Sequence, residues 1–229
     1  MNVAIIPARG GSKRIPKKNV KMFFGKPMIV WSIEAALSSG CFDRVIVSTD
    51  DPQIATISKK NGAEAPFVRP PELSCDHTPT APVIAHAVNW IESEGAVVDK
   101  VCCIYPTAPF VRAEDIRTGL ELITQGLWKY VFTAATYSYP IFRSFKLSKS
   151  GGIKMFFPEC FSTRSQDLPE AWHDAGQFYW GLAASWKDGL RIFDAYSTVI
   201  SLPRWLVQDI DTPEDWERAE MMAKVLLKG

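Results

Sequence analysis

Hydrophobic and polar positions along the chain fall into two alternating rhythms. Short strand-like runs at Val3 to Ile6, Arg44 to Val47 and Lys100 to Tyr105 are separated by stretches in which apolar residues recur every three to four positions. Met28 to Ser39 sets Ile29, Ile33, Ala36 and Leu37 on one helical face, and Pro52 opens a second helix at its first turn, where its missing N–H costs nothing. Thr80 to Glu94 carries Val83, Ala87, Val88 and Ile91 on one side, and Ala113 to Thr124 carries Ile116, Leu120 and Ile123. Ala65 to Val68 is expected as a short third strand. Alternation of this kind predicts an α/β fold, a three-layer, doubly wound and mostly parallel sheet.

The rhythm changes after Tyr130. Val131 to Thr136 still reads as a core strand, but Phe142 to Leu147 and Ile153 to Phe157 flank the turn sequence Ser148 to Gly152 and predict a β-hairpin. Phe142, Phe145, Phe156 and Phe157 give it more aromatic surface than a lone hairpin can hide. Residues 137–170 are therefore expected to be an inserted dimerisation segment within a single domain, 1–229, that assembles as a homodimer; packing onto the chain's own core fits the same pattern. Phe161 to Glu170 is polar and irregular, and strand character returns at Gln177 to Leu182 and Thr198 to Leu202. Thr212, Pro213 and Asp215 then start a helix with cap, proline and capping-box acid, and Trp216, Ala219, Ala223 and Leu226 form its apolar stripe.

With 229 residues and 47% hydrophobic content, the chain suffices for one large α/β core. Its net charge is only +1, yet Arg9, Lys13, Arg14, Lys17 and Lys18 crowd into the run Ile5 to Asn19, IIPARGGSKRIPKKN. A local cluster in a balanced protein suits a small anion better than a nucleic acid, which needs a wider basic face. No stretch approaches the roughly 18 to 20 apolar residues of a membrane span, and Met1 leads straight into a strand, so a cytoplasmic protein without membrane contact is expected. The five cysteines include no CxxC pair, and Cys102-Cys103 lies in an apolar run as two small hydrophobes.

Those cations follow a strand, and Gly10 and Gly11 supply a backbone free to adopt positive φ and approach a ligand, so the turn is a candidate phosphate cradle. At the far end of the chain, an extended backbone would aim Asp209 and Asp211 to the same side. Their mutual repulsion is relieved most simply by a divalent cation; the alternative is that Asp211 merely starts the last helix while Asp209 is solvated. Together, a cationic glycine turn and an acid pair suit nucleotidyl transfer, with Mg2+ as cofactor. Neither the GxxxxGK[ST] nor the GxGxxG spacing occurs after the first strand.

IIPARGGSKRIPKKN, the STDD of Ser48 to Asp51, the RPPE of Arg69 to Glu72 with Asp76 beyond it, the YPTAPFVR of Tyr105 to Arg112 and the DID of Asp209 to Asp211 resemble the CMP-nonulosonic acid synthetases. These are the cytidylyltransferases that activate sialic acids. Arg164 to Trp180, RSQDLPEAWHDAGQFYW, is most similar to the branch acting on pseudaminic acid. The resemblance implies a nucleotide-diphospho-sugar transferase-like fold and attack of a sugar's anomeric hydroxyl on the α-phosphate of CTP. The products would be a CMP-sugar for bacterial surface glycans or flagellin, and pyrophosphate.

It also implies roles. Arg9, Gly10, Gly11, Ser12, Lys13, Lys18 and Asn19 match the nucleotide loop, with Lys18 holding the α-phosphate, and Arg69, Asp76 and Thr80 match the surroundings of the cytidine. Asp209 and Asp211 match the metal ligands; Lys18, Asp209 and Arg9 are the candidate catalytic residues. The acidic nine-carbon sugar is expected against Tyr105, Arg164, His173, Gln177 and Tyr179, Arg164 matching its carboxylate. Sialic acid enzymes typically carry glutamine where Tyr105 stands, and some have an arginine-proline pair at His173-Asp174, which shifts the expected substrate to pseudaminic acid. Legionaminic acid, N-acetylneuraminic acid and Kdo are the alternatives, and a nucleotide-sensing module is the non-enzymatic one.

Overall fold

The structure, a computed structural model, describes residues 1–227. It begins with β1 (Asn2–Pro7), a small ribbon of β2 (Met22–Phe23) and β3 (Lys26–Pro27), then α1 (Met28–Ser39), β4 (Arg44–Ser48) and α2 (Pro52–Lys60). There follow α3 (Thr80–Ser93), β5 (Lys100–Ile104), α4 (Ala113–Thr124), β6 (Tyr130–Thr136) and the hairpin of β7 (Phe145–Leu147) and β8 (Ile153–Met155). The chain closes with β9 (Trp172–Leu182), α5 (Ala183–Lys187), β10 (Ser197–Ser201) and α6 (Pro213–Leu226).

Six strands form one sheet in the order β10-β6-β9-β5-β1-β4. Both β9 pairings are antiparallel and every other pairing is parallel, so the expected mostly parallel sheet is present with one reversed strand. Strands covered on both faces must be apolar throughout, which explains why Val3 to Ile6 reads as an unbroken run. Ala4, Ile6, Val47 and Cys102 pack with Ile29, Ile33, Ile54 and Ile116 from α1, α2 and α4 on one side. On the other, Val3, Ile5, Ile46 and Cys103 meet Ile84, Val88, Ile91 and Trp186 from α3 and α5. The vicinal cysteines thus serve opposite faces, fully buried.

A third cluster decides the position of the site. Ile15 from the cationic loop and Ile210 from between the two aspartates pack with Phe23, Met28 and Phe110 and with Trp216, Ala219 and Ala223 of α6. Hydrophobic burial therefore ties the loop near the start of the chain to the acid pair near its end.

Four expectations change. Ala65 to Val68 is not a strand: Pro66 has no N–H to give a ladder, and only single bridges, Ile46 to Glu64 and Thr49 to Val68, remain. Leu37 is half exposed, while Ile29, Ile33 and Ala36 carry the buried face of α1. The strand expected from Gln177 starts at Trp172 and crosses a bulge. The hairpin strands have three residues each, pairing Phe145 with Met155 and Leu147 with Ile153; Phe142 and Phe157 lie in the flanking turns, ring centroids 5.2 Å apart. Phe145, Leu147, Ile153 and Phe156 are all exposed.

Candidate functional site

Strand order reverses at β1, whose neighbours β4 and β5 are reached by crossovers in opposite directions, and α/β sheets bind ligands outside the carboxyl ends of strands at such a point. The loops after β1 and β5 open there into a cleft of about 360 Å³. One wall is Arg9, Ser12, Lys13, Arg14, Lys18 and Asn19; Arg69, Asp76, Thr80, Tyr105, Asp209 and Asp211 complete it.

Internal bonds hold the cationic loop. The Gly10 amide donates to Asp50 Oδ1 at 3.0 Å, and Asn19, itself buried, donates from Nδ2 to the Arg9 carbonyl at 2.9 Å. Neither Gly10 nor Gly11 has positive φ; the loop residue that does is Lys17, at 53°. Gly10 is needed for space instead, since a Cβ there would lie 2.6 Å from Asp51 Oδ2. Asp51 is fixed because it caps α2, accepting from the amides of Gln53 and Ile54 at 2.7 and 3.0 Å. No such obstacle surrounds Gly11.

Charge in the cleft is arranged as opposed pairs. Arg9 and Lys13 both bridge to Asp76, and Arg14 and Lys18 reach Asp211 at 3.0 and 3.2 Å. Lys18 also donates to the Ile210 carbonyl at 2.5 Å. Arg69 is only 4% exposed, its affinity for the proton lowered by burial although Asp50 lies 3.6 Å away. It remains a cation, because a guanidinium does not deprotonate at ordinary pH.

Ile210 is fully buried in the third cluster, so its neighbours Asp209 and Asp211 both face the cleft, as the extended reading required. Helix capping is not the role of Asp211: Thr212 is the N-cap of α6, in a reciprocal capping box with Asp215. Burial first, and then the negative charge of Asp211, push the Asp209 carboxyl above the usual carboxylate range, with Lys18 opposing. Among the described residues no third His, Cys, Asp or Glu joins the pair. Two carboxylates under mutual strain fit a hard divalent cation that completes its shell with water and substrate phosphates.

The expected sugar residues are more dispersed. Tyr105 lines the cleft, its hydroxyl 3.3 Å from Thr80 Oγ1, and its ring lies 5.3 Å from that of Tyr179. Tyr179, Gln177 and His173 stand outside the cleft wall. Tyr179 is buried and its hydroxyl donates to Asp174; burial raises its pKa, and Tyr105 and Asp174 add to the rise. Gln177 is buried too, donating from Nε2 to the Leu206 carbonyl at 2.7 Å while Oε1 has no partner. His173 pairs through Nδ1 with the Asp174 carbonyl at 2.9 Å and packs on Tyr137. Arg164 is exposed and bonded to Asp167 at 2.7 Å, away from the cleft. The structure adds Asp50 and Asp174, and pairs Arg14, one of the clustered cations, with Asp211. Asp50 sat within the STDD motif and Asp174 beside His173, but nothing in their spacing marked them.

Residues 3–138 match the family model described as "Cytidylyltransferase". The pseudaminic acid cytidylyltransferase of Campylobacter jejuni subsp. jejuni serotype O:2 is 45% identical over 224 residues, 98% of this chain and 97% of that protein. A Helicobacter pylori protein named as pseudaminic acid cytidylyltransferase and UDP-2,4-diacetamido-2,4,6-trideoxy-beta-L-altropyranose hydrolase is 35% identical over 91% of this chain, which spans 40% of it. In fold, the chain is similar to a CMP:2-keto-3-deoxy-manno-octonic acid synthetase solved with CTP, at 18% identity and a TM-score of 0.71, covering 98% of this chain and 99% of that one.

Proposed function

The chain belongs to the cytidylyltransferase family, and from that premise we propose that it transfers CMP from CTP to the anomeric hydroxyl of pseudaminic acid. The observation that carries this reading is the meeting of Lys18 with Asp211 and the Ile210 carbonyl, which puts the cationic loop and the acid pair in one cleft. In the reaction the anomeric oxygen forms a bond to the α-phosphorus, the bond to the β-phosphate oxygen breaks, and pyrophosphate leaves. Arg9, Lys13 and Lys18 offset the charge that builds on the phosphates, and the Gly11 amide and the side chains of Ser12 and Asn19 orient them, with Gly10 holding the turn through its bond to Asp50. Arg69, Asp76 and Thr80 surround the cytidine.

Asp209 and Asp211 would hold Mg2+, which when bound supplies charge neutralisation at the phosphates. Asp209 faces the cleft beside Lys18 and is the carboxylate we assign to accept the proton of the sugar hydroxyl. Tyr105 forms the near wall for the sugar, with Gln177, Tyr179 and His173 behind it; Arg164, paired with Asp167 away from the cleft, takes no part in this pocket. We place the enzyme in the cytoplasm as a homodimer joined through the exposed apolar hairpin of residues 137–170, within one domain spanning 1–229. Among the described residues no helix is long and apolar enough to cross a membrane.

The test is pyrophosphate release from CTP and pseudaminic acid by the wild type and by Asp209→Asn. Release that stops on chelation of divalent cations, and in the variant while CTP still binds, is expected. Near-normal turnover of Asp209→Asn would remove Asp209 from the chemistry.

A further inference from the structure

Asp174 has no part in the chemistry above, yet it joins more of the sugar side than any other acid. On β6, Phe132 faces Tyr179 and Ala134 faces Asp174, so the single residue Thr133 stands opposite four, Ala175 to Phe178. This bulge lies where β9 passes the end of β5, and bulges re-aim side chains beside functional clefts. It turns through Gly176, whose φ of 61° a side chain would resist.

Both ends of the bulge are fastened by one carboxylate. Asp174 Oδ1 accepts from the Gly176 amide at 2.8 Å, and Oδ2 accepts from the Tyr179 hydroxyl. Tyr179 stacks on Phe132 with ring centroids 5.8 Å apart and packs against Tyr105 at 5.3 Å. The Tyr105 amide donates to the Gln177 carbonyl inside the bulge at 2.9 Å, so the cleft residue is held through its backbone as well as its ring. An asparagine here would keep one acceptor and replace the other with a donor, so it cannot receive both bonds as they stand.

We propose that Asp174 is a positioning residue for the sugar: through Gly176 and Tyr179 it sets the place of Tyr105 in the cleft, and so governs sugar binding without touching CTP. The inference rests on the cytidylyl-transfer reading of this cleft. The Thr80 hydroxyl beside Tyr105 is the boundary between this chain of contacts and the nucleotide side.

The experiment uses the full chain as wild type, Asp174→Asn, Tyr179→Phe and the double variant. Pyrophosphate release gives KM for pseudaminic acid and kcat, calorimetry gives CTP affinity, and thermal melting reports the fold. Asp174→Asn is expected to raise the sugar KM roughly tenfold, as loss of a charge-assisted hydrogen bond does, with CTP affinity within about twofold of wild type. Tyr179→Phe should act alike, and the double variant should be little worse than the more impaired single one, because both break one contact. An unchanged sugar KM in Asp174→Asn, an equal loss of CTP affinity, or additive effects in the double variant would overturn the proposal. Should Asp174→Asn fail to fold, Tyr179→Phe decides alone: a normal sugar KM there rejects the positioning role. Wild-type enzyme that releases no pyrophosphate with pseudaminic acid sinks the functional reading as well, whereas active wild type with an indifferent Asp174→Asn sinks only this one.

Discussion

The phosphate wall of the cleft comes from one stretch of chain, Arg9 to Asn19, in which Arg9, Lys13, Arg14 and Lys18 are partly in solvent and each paired to an acid from elsewhere. On the sugar side, Tyr105 follows β5 while His173, Gln177 and Tyr179 come from β9, far along the sequence, and Gln177 and Tyr179 are buried and held by neighbours. The first wall reads as local sequence because its ligand, a chain of phosphates, demands charge and backbone amides at short spacing. On the proposed reading the second recognises a shape, and shape is made by packing, so reaction type would be written in a motif and substrate choice in a strand bulge and what leans on it.

Substitutions sharpen this contrast. The largest effect belongs to the reacting end: Lys18→Met should lower kcat at least about a hundredfold, the usual cost of removing a preorganised donor to developing charge, as measured by single-turnover CMP transfer. On the sugar wall Tyr105→Gln should cut kcat/KM for pseudaminic acid by about tenfold, of the order of one lost pocket contact, while the KM for CTP holds. If CTP affinity falls equally, the two walls are not separable. Within the nucleotide wall the glycines should part company. Gly10→Ala forces a methyl against the capping carboxylate of Asp51 and should cost about 1–3 kcal/mol in urea unfolding and raise the KM for CTP; Gly11→Ala, with open space around it, should do neither. Smallest of all, Thr212→Ala removes the cap of α6 and should cost about 1 kcal/mol in the same unfolding measurement.

The same contrast explains what was legible. Strands β1, β4 and β5 and helices α1, α3 and α4 announced themselves because burial on both faces leaves apolar runs and helical stripes, and α2 through the proline at its first turn. The capping box of α6 was visible because its donors and acceptors are neighbours in sequence. β9 was not fully visible: Asp174 and Gly176 break its apolar pattern for the sake of the bulge, and its antiparallel direction follows from the path of the chain. Ala65 to Val68 had strand composition but also Pro66, and the ladder obeyed the proline. Gly10 was identified for the wrong reason, since conformational freedom can be guessed from a glycine but the nearness of Asp51 cannot. Asp209 and Asp211 face the same cleft, as the sequence led one to expect, because the period of an extended backbone is the same whether or not a sheet forms. Arg164 was placed by resemblance alone, and in this chain it faces Asp167.

The central claim is that a shared nucleotide wall performs CMP transfer while the Tyr105 and Tyr179 wall selects the sugar. It is tested most directly by kcat/KM for pyrophosphate release with pseudaminic, legionaminic, N-acetylneuraminic and Kdo acids, at saturating CTP and Mg2+. The account expects pseudaminic acid to be turned over fastest, with the KM for CTP alike for every sugar that reacts. Faster turnover of N-acetylneuraminic acid or Kdo, or CTP binding without pyrophosphate release from any of the four, would contradict it.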